Sequence, residues 1–175
     1  MTAGLALRVS GIVFAAALFQ AAIFSSLAVG GGTPDLLLIA VVSLGLLRGS
    51  VPGAVVGFAG GLVVDLLTLE TLGVTSLVLT LVGFWAGRYA ETTARGRRLP
   101  VLLAVGVLTV LAGVFGFALH YMLGEDVVAR QALVNALLPA LVANVILALP
   151  VHALIRAGMG ERSEVGRSSE VELVV

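Results

Sequence analysis

Apolar residues gather into long runs along this chain, separated by short polar breaks, and the run lengths predict the elements. Six runs stand out: Val9–Val29, Asp35–Leu47, Val51–Leu69, Leu72–Ala90, Pro100–Leu123 and Gln131–Ile155. Five of them approach or exceed the roughly 20 residues that carry an α-helix across a bilayer. The second does not, being apolar only from Leu36 to Leu47 between an acid and an arginine. The first follows Arg8 as a signal peptide would, but it outruns the 7–15 residues of a signal h-region, so it is predicted to stay as a helix. The pattern predicts an all-α integral membrane protein, a compact bundle of about six transmembrane helices.

Composition narrows this further. Hydrophobic residues make up 59% of the chain and charged ones 11%, with a mean hydropathy of +1.15. Soluble domains carry about 25% charged residues, and a water-facing surface cannot be built from so few. One helical domain over residues 1–156 is expected, followed by a disordered cytoplasmic tail over 157–175, where Glu, Ser and Gly accumulate. The absence of cysteine excludes disulfides, a Cys-type zinc site and a thiol nucleophile.

The net charge of zero says little, whereas the placement of the charges says much. With six crossings, Arg8, Arg48, Arg88, Arg95, Arg97, Arg98, Arg156, Arg162 and Arg167 fall on one side and Arg130 alone on the other. The positive-inside rule then puts both termini in the cytoplasm. Joining the second and third runs into one helix would bury Arg48, Pro52 and Gly53 near mid-membrane, which is costly.

The second run therefore reads as a short crossing fixed at both ends. Thr33 is expected as N-cap, Pro34 at the first helical position and Asp35 against the positive end of the helix dipole. Arg48 would snorkel at the inner interface. From Pro34 to Gly49 such a helix is roughly 24 Å long, short of the roughly 30 Å hydrocarbon core. It must thin the bilayer or pack behind its neighbours.

In the third run, "VPGAVVGFAGGLVVDLLTLE", Gly53, Gly57 and Gly61 recur every fourth residue, with Gly60 on the adjoining row. Small residues at this spacing let helix backbones approach closely, and packing is the first reading; a close contact with a substrate is the second. Asp65 lies near the outer end of the run. It reads as an interfacial carboxylate, capped by water or by the start of the next helix, or as one held by a specific structural partner. A proton relay would need further titratable groups at depth, and His120 and His152 both fall near interfaces. Trp85 and Tyr89 read as inner-interface anchors.

Asn135 and Asn144 lie about 180° apart on the sixth helix and cannot line one site. Each is expected to hydrogen-bond a neighbouring helix or a carbonyl freed by Pro139 or Pro150. The segment "RYAETTARGRRLP" is a basic inner loop suited to anionic lipids or a cytoplasmic partner. No paired carboxylates, metal-ligand spacing or phosphate-cradling loop points to catalysis, a cofactor or nucleic acid. "VGGGT" reads as a turn between helices.

Taken together, "PDLLLIAVVSLGLLRG", "GAVVGFAGGLVVDLL" and "LGVTSLVLTLVGFWAGR" resemble the bacterial rod-shape-determining membrane protein family MreD. The resemblance rests on Pro34-Asp35 opening a short helix and Arg48-Gly49 closing it. It continues with Gly57-Phe58, Gly61-Leu62 and Asp65 in the next helix, and Leu72-Gly73 opening the fourth. Gly60 also fits, so which glycine corresponds stays open. The resemblance covers Pro34–Arg88; the remaining runs match only in length and hydropathy.

It implies a non-enzymatic scaffold of the cell-elongation machinery that binds the single-pass protein MreC. Through MreC the filament MreB would be coupled to a peptidoglycan polymerase and transpeptidase. The family's implied likeness in fold to the substrate-binding subunits of energy-coupling-factor transporters makes a small-molecule-binding carrier subunit the alternative. The residues expected at helix packing or a partner interface are Asp35, Arg48, Gly53, Gly57, Gly61 and Asp65, with membrane lipids as further partners.

Overall fold

A computed structural model describes residues 3–20, 22, 33–69, 71–92, 98–124 and 136–159. Among them are six helices and no strand: α1 (Ala3–Phe19), α2 (Leu36–Arg48), α3 (Ser50–Thr68), α4 (Val74–Thr92), α5 (Arg98–Met122) and α6 (Leu137–Gly158). Three helical stretches, Ser50–Thr68, Val101–Met122 and Leu137–Gly158, are long and apolar enough to cross a membrane. Val9–Phe19 and Leu36–Arg48 are apolar but shorter. Arg95, Arg97, Arg130, Asn135, Arg162, Arg167, most of the 157–175 tail and nearly all of "VGGGT" lie outside the described residues.

The short helix is the axle of the bundle. α2 contacts each of the other five helices, and Leu37 through Gly45 are buried without interruption. A helix apolar all round has no face to offer water, so it is stable only when surrounded. Of the two ways to accommodate its shortness, it packs behind its neighbours.

Gly49 separates α2 from α3 and is the whole connection. It is C-cap to one helix and N-cap to the other, with φ 96°, a left-handed backbone that favours glycine. Pro52 falls in the first turn of α3, where its missing N–H is no loss.

The wall helices are patterned inside out. On α3, Val51, Val55, Phe58, Leu62 and Leu66 form an exposed apolar stripe, while Gly53, Val56, Gly57, Gly60, Gly61 and Val64 are buried. Large residues outward and small ones inward suit lipid, where association depends on close backbone approach rather than hydrophobic drive. Among the described residues the buried polar side chains are Ser43, Ser50, Asp65, Ser76, Thr109 and Asn144.

Candidate functional site

The second to fourth helices form one unit whose seam is glycine. Gly53, Gly57 and Gly61 of α3 lie against the backbone of α4: a Cβ added at each would collide with the Gly83 carbonyl, the Leu79 carbonyl and Ser76 Cα respectively. The other side of the seam is also glycine, Gly83 meeting the Gly53 carbonyl and Gly87 meeting the Gly49–Ser50 peptide. Gly45 joins from α2, where a Cβ would stand 2.8 Å from the Gly83 oxygen. Gly60 faces elsewhere, toward Val13 of α1 and Leu37 of α2. The two rows of the α3 glycine pattern thus face different neighbours, α4 on one side and α1 with α2 on the other.

Antiparallel packing sets each helix's start beside the other's end, and a carboxylate fills each gap. Asp65, in the last turn of α3, is fully buried. Its Oδ2 accepts from Gly73 N at 2.8 Å and Ser76 N at 3.3 Å, capping α4. The start of the next helix, one of the partners the sequence left open, is the one it has. Its Oδ1 is buried with no hydrogen-bond partner among the described residues.

At the opposite end Glu91 of α4 accepts through Oε1 from Ser50 N (2.9 Å) and Ser50 Oγ (2.8 Å), capping α3. Its Oε2 receives Arg88 Nη1 at 3.0 Å. The Ser50 N–H and hydroxyl, and then Arg88, hold the Glu91 carboxyl below the usual carboxylate range. Each acid opposes the dipole of its own helix and favours that of the neighbour.

A third cap closes the start of α2. Thr33 is not its N-cap. Asp35 is, and its Oδ1 accepts from Leu38 N at 2.8 Å. Pro34 accordingly precedes the helix, because the carboxylate two residues past Thr33 reaches the third helical N–H and starts the helix later. The remaining groups there are claimed by other helices. Asn144 Oδ1 of α6 accepts from Asp35 N at 2.8 Å, and Gln20 Oε1, just beyond α1, accepts from Leu36 N at 2.8 Å. Gln20 Nε2 donates to the Pro34 carbonyl at 3.2 Å, and Asn144 Nδ2 to Thr109 Oγ1 of α5 at 3.2 Å. Four helices meet at one helix start, and backbone polar groups buried in an apolar surround are satisfied from within.

Arg48 closes the other end of α2. The two charged residues bounding this helix are not brought together. Arg48 is half-buried, its Nε closed off without an acceptor among the described residues.

Sequence reasoning missed Gln20, Glu91, Gly83 and Gly87. The glycine pair was readable as a second small-xxx-small repeat, "GFWAG". Glu91 stands in a segment whose arginines dominate its pattern, and Gln20 gives no signal beyond being polar within an apolar run.

Compared with protein families, residues 5–157 match the model described as rod shape-determining protein MreD. The chain belongs to the MreD family. That match takes in most of the chain, far beyond Pro34–Arg88, and makes this a membrane protein of rod-shape determination. Comparison with curated proteins gave no match. Comparison with solved structures gave none either, so likeness to transporter subunits finds no support there. Within the MreD-family domain, the polar side chains just described connect helix ends.

Proposed function

We propose that this MreD-family protein is a non-enzymatic scaffold of the cell-elongation machinery in the bacterial plasma membrane. On this reading it crosses the membrane six times with both termini cytoplasmic. It binds an MreC-like single-pass protein and through it reaches the polymerase and transpeptidase of peptidoglycan synthesis. The family match over residues 5–157 carries the reading. The use of Asp35, Asp65, Glu91 and Asn144 as helix caps supports it, since those side chains secure a rigid framework.

The partner surface is proposed to include the outer end of α2 at Asp35, with the seam Gly53, Gly57 and Gly61 keeping the framework in shape behind it. Asp35→Asn retains an oxygen that can cap Leu38, so the isolated protein is expected to keep its stability. Titrating a detergent-solubilised single-pass partner against both forms is the test. Weaker binding by Asp35→Asn at unchanged stability supports the surface; equal affinity reduces Asp35 to a helix-start residue. Failure of the wild type to co-purify with any such partner from cells would overturn the scaffold reading itself.

A further inference from the structure

We propose that Arg48 holds the phosphate of an anionic phospholipid headgroup at the end of α2. Three acidic residues occur among the described ones, Asp35, Asp65 and Glu91. Asp35 and Asp65 stand at the other end of α2 and α3, occupied as caps. Glu91 is at the right end, but its two oxygens are taken by Ser50 and Arg88. Arg88 is thereby neutralised; Arg48 has no carboxylate within ion-pair distance among the described residues. A guanidinium does not shed its proton, so its charge requires an acceptor beyond those the described residues supply.

The geometry points to which acceptor. With Nε sealed against the protein, the side chain presents its outer edge, the two terminal NH2 groups, and that edge matches two oxygens of a phosphate. The acceptor must also live beside an apolar surface. The exposed stripe of α3 starts three residues beyond Arg48, with Val51 68% and Val55 63% exposed. At the same end of α4, Trp85 is 58% exposed, as an aromatic at a membrane interface is. A headgroup phosphate on the guanidinium with its acyl chain along α3 satisfies both surfaces at once. Free phosphate would satisfy only the first.

Native mass spectrometry of the full chain released from nanodiscs tests this. Wild type is expected to retain phosphatidylglycerol, whose headgroup carries no cation, in preference to phosphatidylcholine. Arg48→Gln should lower that retention about tenfold, the effect of losing a charge-assisted hydrogen bond. Arg156→Gln, at an exposed arginine on α6, should leave it unchanged. Should Arg48→Gln fail to fold, Arg48→Lys keeps the charge without the fork and should show a smaller loss. Equal retention by wild type and Arg48→Gln would overturn the site and leave the guanidinium to water or a protein carboxylate. Displacement of the lipid by millimolar inorganic phosphate would overturn the lipid assignment in favour of a free-anion site.

Discussion

Asp65 and Glu91 are exchanged caps: the acid in the last turn of α3 closes the start of α4, and the acid in the last turn of α4 closes the start of α3. The exchange turns two unfavourable charge positions into two favourable ones, and it fixes the sliding register of the pair from both ends. Between the caps lies the glycine seam, where register matters most.

That seam leads to a contrast between two glycines. Gly57→Ala places a methyl group into the Leu79–Thr80 backbone of α4, and backbone has nowhere to go. It is expected to cost about 1–3 kcal/mol as overpacking. Gly116→Ala in α5 meets nothing within 4 Å and should be neutral or stabilising by up to about 1 kcal/mol through helix propensity. Thermal unfolding of both variants in detergent checks the ordering; equal effects would mean that α3 and α4 do not meet along this row.

Around α2 the test is an asymmetry between hydrogen-bonding partners. Asn144→Ala strands the Asp35 N–H, a partly buried donor at a helix start, and should destabilise by about 1–3 kcal/mol. Thr109→Val leaves the Asn144 Nδ2–H without that acceptor but keeps the Asn144 Oδ1 cap on Asp35, and should cost less, about 0.6 kcal/mol for the bond itself, the average for such bonds in membranes. If Thr109→Val proves the worse of the two, Asn144 is not what holds the start of α2.

Glu91 gives the stability a pH dependence whose direction is fixed. Its carboxyl lies beyond the apolar stretch of α4, and in the folded protein it titrates below the usual carboxylate range. The charged form is therefore the one the fold prefers. Its contribution is complete above the ordinary carboxylate pKa and is lost as pH falls through the depressed folded value. Glu91→Gln should melt below wild type at neutral pH, and the gap should close toward acid. A gap that persists in acid would assign the loss to packing rather than charge.

How much of this was legible beforehand follows from which interactions are local. The seam of Gly53, Gly57 and Gly61 could be read because a four-residue repeat on one helix announces a close neighbour, though not which one. The break between α2 and α3 is legible because Arg48, Pro52 and Gly53 together resist a continuous helix at mid-membrane. Thr33 reads as the cap of α2 because Thr-Pro marks a helix start, and nothing local reveals that Asp35 reaches Leu38 instead. The links from Asn144 to Asp35, and from Glu91 to Ser50, join residues 109 and 41 positions apart. Such pairs leave no trace in periodicity, since each depends on the order in which helices pack.

The enclosure of α2 also has a consequence for biogenesis. A thirteen-residue segment with an acid at one end and an arginine at the other gains too little from lipid to leave a translocon by itself. Its partition must await company, and the single-residue joint at Gly49 delivers that company at once in α3. The two are expected to enter the bilayer as a helical hairpin, with the wall closing round them as later segments emerge. Insertion assays on truncated chains would show it: a chain ending at residue 48 should leave α2 uninserted, whereas one ending at residue 69 should insert both. Insertion of the shorter chain would mean that α2 is membrane-competent alone, and that its central place is reached by rearrangement rather than by order of arrival.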